Sequence, residues 1–288
     1  MRTILSIGVD AVAYGMVLFT ISIGLSITMG LMRVVNLAHG AFAMIGGYLA
    51  SYALRTIGTN YAAAIVIAVV GTILISAPLE ALLYRPIYRK SDALTQLLLT
   101  IGITFFIIGA ANFVFGPTLK RIPLPAALSG PLDIGFRMVP THRIFVIACG
   151  GVIALALWYL LDRTQFGVRV RAAVDNSDMA ESLGIRTELI YSATFALAVG
   201  LGAFGGVIGA ELLPIEPFYA LRYMVIFLVV VSVGGAGSIL GALSASLLLG
   251  LADTTGKYLA PEFGEFFFYL AVILIVFLFP NGLFGRSH

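Results

Sequence analysis

Asn36 and His39 are the polar pair best placed to do chemistry in an apolar setting. They stand in GLMRVVNLAHGAFAMIGGYLA, residues 30–50, between an apolar run and a small-residue run. The other titratable groups inside apolar stretches are Asp10, Glu80, Glu211 and Asp253. Ionisable side chains at membrane depth are costly and mark function by default. Position weakens these four. Asp10 falls in the first turns of its stretch, Glu80 is within reach of Arg85, and Glu211 and Asp253 lie near stretch ends where water is expected. A buried histidine is commonly neutral and bonded to backbone, so His39 has a packing reading beside its pathway reading. No reaction centre emerges: there is no H-E-x-x-H, no paired intramembrane aspartates and no nucleophile beside a base. The chain therefore reads as no enzyme, with no catalytic residue and no metal site.

The elements that must position these groups are membrane helices. Of 288 residues, 60% are hydrophobic and 11% charged, against roughly 25% charged in a soluble domain. About 20 apolar residues cross about 30 Å of hydrocarbon. Eight stretches qualify: 4–28, 34–54, 61–84, 94–115, 143–161, 189–212, 224–251 and 266–280. Backbone groups in lipid must bond internally, and period-two alternation is absent, so the stretches are helices and not barrel strands. The fold class is all-α, a polytopic integral membrane protein with about 8–9 transmembrane helices, some broken or re-entrant, in one domain over 1–288. The Pro- and Gly-rich gap at 116–142 reads as a surface loop. Cys149 lies inside a stretch, so no disulfide framework exists. Lys and Arg divide almost evenly between the two sides, which leaves the orientation open.

Glycine interrupts two stretches. VVVSVGGAGSILGALSASLLLG, residues 229–250, carries Gly234, Gly235 and Gly237. Each weakens a helix by about 1 kcal/mol relative to Ala. Breaks at membrane depth need a protein interior or an aqueous cavity, and transporters use half-helices there; close helix packing is the alternative. The candidate pathway residues, taken from position, are Asn36, His39, Gly40, Ser232, Gly234, Gly235, Gly237 and Ser238. ISIGLSITMG and LAVGLGAFGG precede the two regions and hint at an internal repeat. Gly202 with Gly206, and Gly205 with Gly209, form G-x-x-x-G pairs for close packing. The literal G-x-G-x-x-G at 200–205 follows no strand and is no dinucleotide site.

The long polar interruption of the second half is DRTQFGVRVRAAVDNSDMAESLGIRTE, residues 162–188. Asn176, Ser177 and Asp178 offer capping oxygens, and Glu181 stands three residues after Asp178, as in a capping box. A short amphipathic helix follows and ends at Gly184, where glycine can take a positive φ. An ion- or proton-coupled carrier needs a central carboxylate, and none is convincing here. The chain also has no nucleotide-binding motif. The polar loop is then the place for a separate energy-supplying subunit, with an ion-coupled carrier or a non-transporting scaffold as the alternatives.

Taken together, certain stretches resemble the transmembrane permease of ABC importers of the branched-chain amino acid transport family, in its shorter class. They are Asn36-Leu37-Ala38-His39-Gly40 with Gly46-Gly47-Tyr48; Glu80 through Arg85-Pro86; the loop at 171–185; Gly234-Gly235-Ala236-Gly237-Ser238 with Gly241-Ala242; and Pro280-Asn281-Gly282-Leu283-Phe284-Gly285. The resemblance implies a cytoplasmic coupling helix at 172–185, with Ala173, Asp175, Ala180, Leu183, Gly184 and Ile185 at the family's motif positions. Asn176 stands where relatives often carry an acid. The implied partners are ATP-binding cassette subunits, a second permease and an extracytoplasmic solute-binding protein, in an inner-membrane complex with no nucleic acid. ATP would bind the partner subunits, and this chain would hold no cofactor. Nine crossings then fit, with 224–251 split at its glycines or re-entrant there. Arg121, Arg137, Glu216 and Arg222 are candidate receptor contacts.

Overall fold

A computed structural model describes residues 2–32, 35–86, 93–133, 138–279 and 282–284. The motif residues Pro280, Asn281 and Gly285, and the loop cation Arg137, lie outside the described residues.

The axis of the bundle is α1, Arg2–Leu31. It is apolar all round, as a fully packed helix must be, and Phe19, Ile21, Ile23 and Ile27 are buried. Next come α2, His39–Tyr52; α3, Tyr61–Leu79; α4, Ala93–Phe115; and a helical turn α5, Ala126–Ser129. A hairpin of β1, Pro131–Asp133, and β2, Met138–Pro140, precedes α6, Thr141–Arg163. The polar loop holds α7, Gln165–Asp175, and α8, Ser177–Ser182. The chain then forms α9, Thr187–Ile208; α10, Tyr219–Gly234; α11, Ile239–Leu259; and α12, Gly264–Leu278.

Among the described residues, nine of these helices build the bundle: α1, α2, α3, α4, α6, α9, α10, α11 and α12. Six are long and apolar enough to cross a membrane, and α10 is a shorter apolar helix. The stretch 224–251 is two helices, and α11 is no re-entrant stub. It runs antiparallel along α1, from Gly237 beside Gly30 to Gly250 beside Ala11 and Gly15. Its partner α10 has 16 residues, about 24 Å of helix, which is short of the hydrocarbon thickness.

The stretch expected at 34–54 starts later. Its helix begins only at His39, with Asn36 on the turn before it. The Pro-rich segment 116–142 is also more ordered than a plain loop. Thr141 N and Oγ1 both bond the Gly130 carbonyl, at 3.0 and 2.7 Å, and Leu132 faces Val139 in the hairpin. Pro131 and Pro140 are tolerated because a two-stranded sheet is all edge.

Glycine sets the close approaches. A Cβ on Gly46 would lie 2.6 Å from the Ala203 backbone, and one on Gly24 2.5 Å from the Ala198 carbonyl. Gly205 meets Thr20 and Ile21, and Gly209 meets Val17, so α9 is antiparallel to α1. Each long helix, α1 or α9, leads through a turn into a short helix that starts inside the bundle. His39 N–H bonds Asn36 O at 3.3 Å, and Tyr219 N–H bonds Glu216 O at 3.0 Å. The two starts meet where a Cβ on Gly40 would lie 3.3 Å from the Ala220 carbonyl.

Candidate coupling and translocation sites

The polar loop is built on the end of α6. Thr164 Oγ1 caps α7 through Phe166 N–H at 3.2 Å, and Arg171 Nη1 donates to the Leu161 carbonyl at 2.7 Å. Gly167, Val170 and Ala173 recur every three residues and bury one face of α7, so Val170 and Ala173 pack with Ile190 of α9. Tyr191 Oη donates to the Ala173 carbonyl at 2.8 Å, which ties α7 to the first turns of α9.

The cap of α8 is Asn176, whose Oδ1 accepts from Met179 N–H at 2.9 Å. Asp178 cannot cap, because it already sits within the helix, whereas Asn176 has the extended backbone of a cap (φ −154°, ψ 96°). Glu181 accordingly does not complete a capping box and meets Thr187 Oγ1 instead. Asn and Asp cap about equally well, so an acid at this position would serve the same cap. At the other end Gly184 takes φ +83°. Its N–H bonds Glu181 O at 2.9 Å, and Ile185 N–H bonds Ala180 O at 3.0 Å, the paired bonds of a Schellman ending.

The motif residues divide by burial. Ala173 and Ala180 are buried and hold the loop in place; Asp175, Leu183 and Gly184 are exposed, and Ile185 is half-buried. Met179 is 60% exposed and Leu183 76%. Both thus face outward from α8 and the residue that ends it.

Inside the bundle, Asn36 Oδ1 accepts from Tyr84 Oη at 2.9 Å and from Ala38 N–H at 3.1 Å. Its Nδ2 is buried without a partner. His39 Nε2 bonds the Ile21 carbonyl at 2.8 Å, and its ring lies between Gly24 and Gly202. His39 therefore fastens α2 to α1 and α9. Gly40 lets the α2 and α10 starts approach.

The second glycine region is a packed corner. Gly235 (φ +91°) and Gly237 (φ +81°) turn the chain between α10 and α11. A Cβ on Gly234 would sit 2.6 Å from Gly241. Gly237 N–H bonds Ser26 O at 3.1 Å, and Ser238 Oγ caps α11 through Gly241 N–H at 3.0 Å. Ser232 is exposed on the outer face of α10. Leu283 and Phe284 close this corner from the C-terminal side: their N–H groups bond Val233 O and Gly234 O at 2.7 and 3.3 Å. Seven of the eight pathway candidates thus form two clusters, and the exposed Ser232 belongs to neither.

The four carboxylates Asp10, Glu80, Glu211 and Asp253 each have a partner. Glu80 pairs with Arg85 as expected, at 3.3 Å, and also accepts from Ser192 Oγ at 3.0 Å. Asp10 is buried against Arg143 and accepts from Tyr258 Oη at 2.7 Å. Asp253 is buried and takes Lys257 at 2.6 Å. Glu211, which is exposed, lies 2.7 Å from His142 Nδ1. The expectation that Asp253 faces water is thus corrected, since the helical turn to Lys257 satisfies it locally. Sequence reasoning missed Tyr84, Ser192 and Arg143. Only Pro78, which interrupts a helix just before Glu80, signals an irregular turn. Of the receptor-contact candidates, Arg222 pairs with Glu216 at 2.8 Å, and the Arg121 carbonyl accepts from Arg55.

Apolar helices broken at glycine corners, helix starts inside the bundle and an amphipathic pair at one end define a multi-pass helical membrane protein. Residues 8–277 match the family described as branched-chain amino acid transport system, permease component, and the chain belongs to that family. It is 27% identical to the high-affinity branched-chain amino acid transport system permease protein LivH of Escherichia coli K12, covering 96% of this chain and 94% of the relative. BraD of Pseudomonas aeruginosa, a permease protein of the same description, is 26% identical with the same coverage. A probable branched-chain amino acid transport permease protein LivH of Methanocaldococcus jannaschii is 28% identical over 93% of this chain and 86% of its own length. The solved PsaBC from Streptococcus pneumoniae in complex with Fab aligns over 95% of this chain and 90% of that chain at 16% identity and TM-score 0.48.

Proposed function

We propose that this chain is a membrane-spanning subunit of an ATP-driven ABC importer, moving branched-chain amino acids or related small polar solutes inward. The observation that carries this reading is the exposure of Met179 on α8 and of Leu183 at its C-cap. Apolar side chains held out from a polar, well-capped helix fit a groove on a partner protein. That partner is an ATP-binding cassette subunit, which binds and hydrolyses the ATP. The α7–α8 end then faces the cytoplasm. A solute-binding protein delivers to the opposite end, near the hairpin and residues 211–222, and a second permease completes the pathway.

The substrate class rests on the transport systems named for the relatives. Against an ion- or proton-coupled carrier stands the pairing of Asp10, Glu80 and Asp253 with Arg143, Arg85 and Lys257. A carrier needs a carboxylate free to exchange its ion.

The test changes only exposed residues. Met179→Asp with Leu183→Asp removes co-purification of the ATPase and abolishes uptake, with thermal unfolding of the permease unchanged. Retained co-purification would overturn the docking surface.

A further inference from the structure

The helix that begins as α3 does not end regularly. Arg85 N–H bonds the Glu80 carbonyl, five residues back, at 2.8 Å, which makes residues 80–84 a π-helical turn. Such turns concentrate at functional sites, because the extra residue can be lost or moved at little cost. Pro78 precedes it and denies a donor to the turn before.

This turn bonds both the first turns of α9 and the start of α2, two helices that also pack directly, Gly46 on Ala203. On one side Arg85 Nη2 donates to Ser192 Oγ at 2.9 Å and to Glu80 Oε2 at 3.3 Å, while Ser192 Oγ donates to Glu80 Oε1 at 3.0 Å. Ser192 adjoins Tyr191, whose hydroxyl holds the Ala173 carbonyl of α7. On the other side Tyr84 Oη donates to Asn36 Oδ1 at 2.9 Å, and Asn36 forms the turn that starts α2. Glu80, Tyr84 and Asn36 are buried, so these groups exchange partners with one another and not with water. Asn36 Nδ2 is left open in this arrangement. A buried open donor is unfavourable, which suits a group that finds its second partner in another state.

We propose that the π-turn is the link that transmits movement of the α7–α8 pair to the interior start of α2, with Tyr84 and Ser192 as its positioning residues. This rests on the docking of an ATPase at α7–α8. When the ATPase moves that pair, Tyr191 and Ser192 move with α9. The Arg85–Glu80–Ser192 cluster turns the π-turn, and Tyr84 repositions Asn36 and the first residues of α2.

The test is hydrogen exchange on the complete transporter in nanodiscs, with and without ATP and vanadate, for wild type, Tyr84→Phe and Ser192→Ala. Both variants delete one hydroxyl and keep the packing. In wild type, nucleotide should protect 176–185 and change exchange at 36–41 at least fivefold. Each variant should keep the first response and lose most of the second. The double variant should lose no more than the worse single one, as groups on one link do. An equal response at 36–41 in wild type and variants overturns the link. So does wild-type protection at 176–185 with no response at 36–41, or a loss of both responses with lowered thermal stability. Absence of protection at 176–185 in wild type would instead overturn the docking surface, and the link with it.

Discussion

His39 Nε2 donates to the main-chain oxygen of Ile21 at 2.8 Å, with the imidazole between Gly24 and Gly202. A carbonyl only accepts, so this nitrogen carries the proton. Nδ1 is buried without a partner. The contact joins three helices where the hydrophobic effect alone would give no register.

Replacing His39 therefore tests packing more than transport. His39→Ala removes a buried ring and a bond between helices, and should cost about 2–4 kcal/mol. Thermal unfolding in detergent checks this. Uptake should fall only in proportion to folded protein; a loss of uptake at full stability would return His39 to the pathway.

At the loop, Gly184 and Ala180 should fail in different ways. A Cβ on Gly184 meets nothing within 4 Å, but φ is +83°. Gly184→Ala thus costs about 1 kcal/mol of local order, which weakens ATPase binding about fivefold and spares the bundle. Ala180 is buried, so Ala180→Asp should unseat α8 and abolish binding. Titration of ATPase onto the permease in nanodiscs separates the two.

Gly234 and Gly241 tolerate no side chain. Either methyl would overlap the facing backbone, which cannot rotate away as a side chain can. Gly234→Ala and Gly241→Ala should each destabilise by about 3 kcal/mol, seen as loss of monodisperse protein on gel filtration. Ser232→Ala, on the exposed face of the same helix, should stay within about 0.5 kcal/mol of wild type.

Asp10 and Arg143 pin α1 to α6 at the end opposite the coupling loop. Asp10→Asn leaves a largely buried guanidinium without its counter-charge, at about 3 kcal/mol. Asp10→Leu with Arg143→Met removes both charges and should recover part of that loss. A double-mutant cycle in thermal stability measures it, and strict additivity would mean that the pair contributes nothing.

Much of the coupling end was legible in the residues. Gly184 at a helix end and the split of 224–251 at its glycines follow from local backbone preference, which acts over a few residues. Three candidate caps, Asn176, Ser177 and Asp178, stay open in the sequence, because each carries a suitable oxygen and only backbone dihedrals select Asn176, which leaves the Asp178–Glu181 capping box unformed. The hairpin within 116–142 was missed because its strands are three residues each and the chain after them is held by the bonds from Thr141 to Gly130.

Composition alone determined that this chain is a helical bundle in a membrane, since lipid leaves the backbone no other way to bond. Motif order pointed to its family. Tertiary structure decided what the polar residues do. His39 became a clamp and Asp10 half of an ion pair because Gly202 and Arg143, far away in sequence, reach them. Tyr84 became a partner of Asn36 by the same route. Helix periodicity places a side chain on a face; only the crossing of helices decides which distant residue meets it.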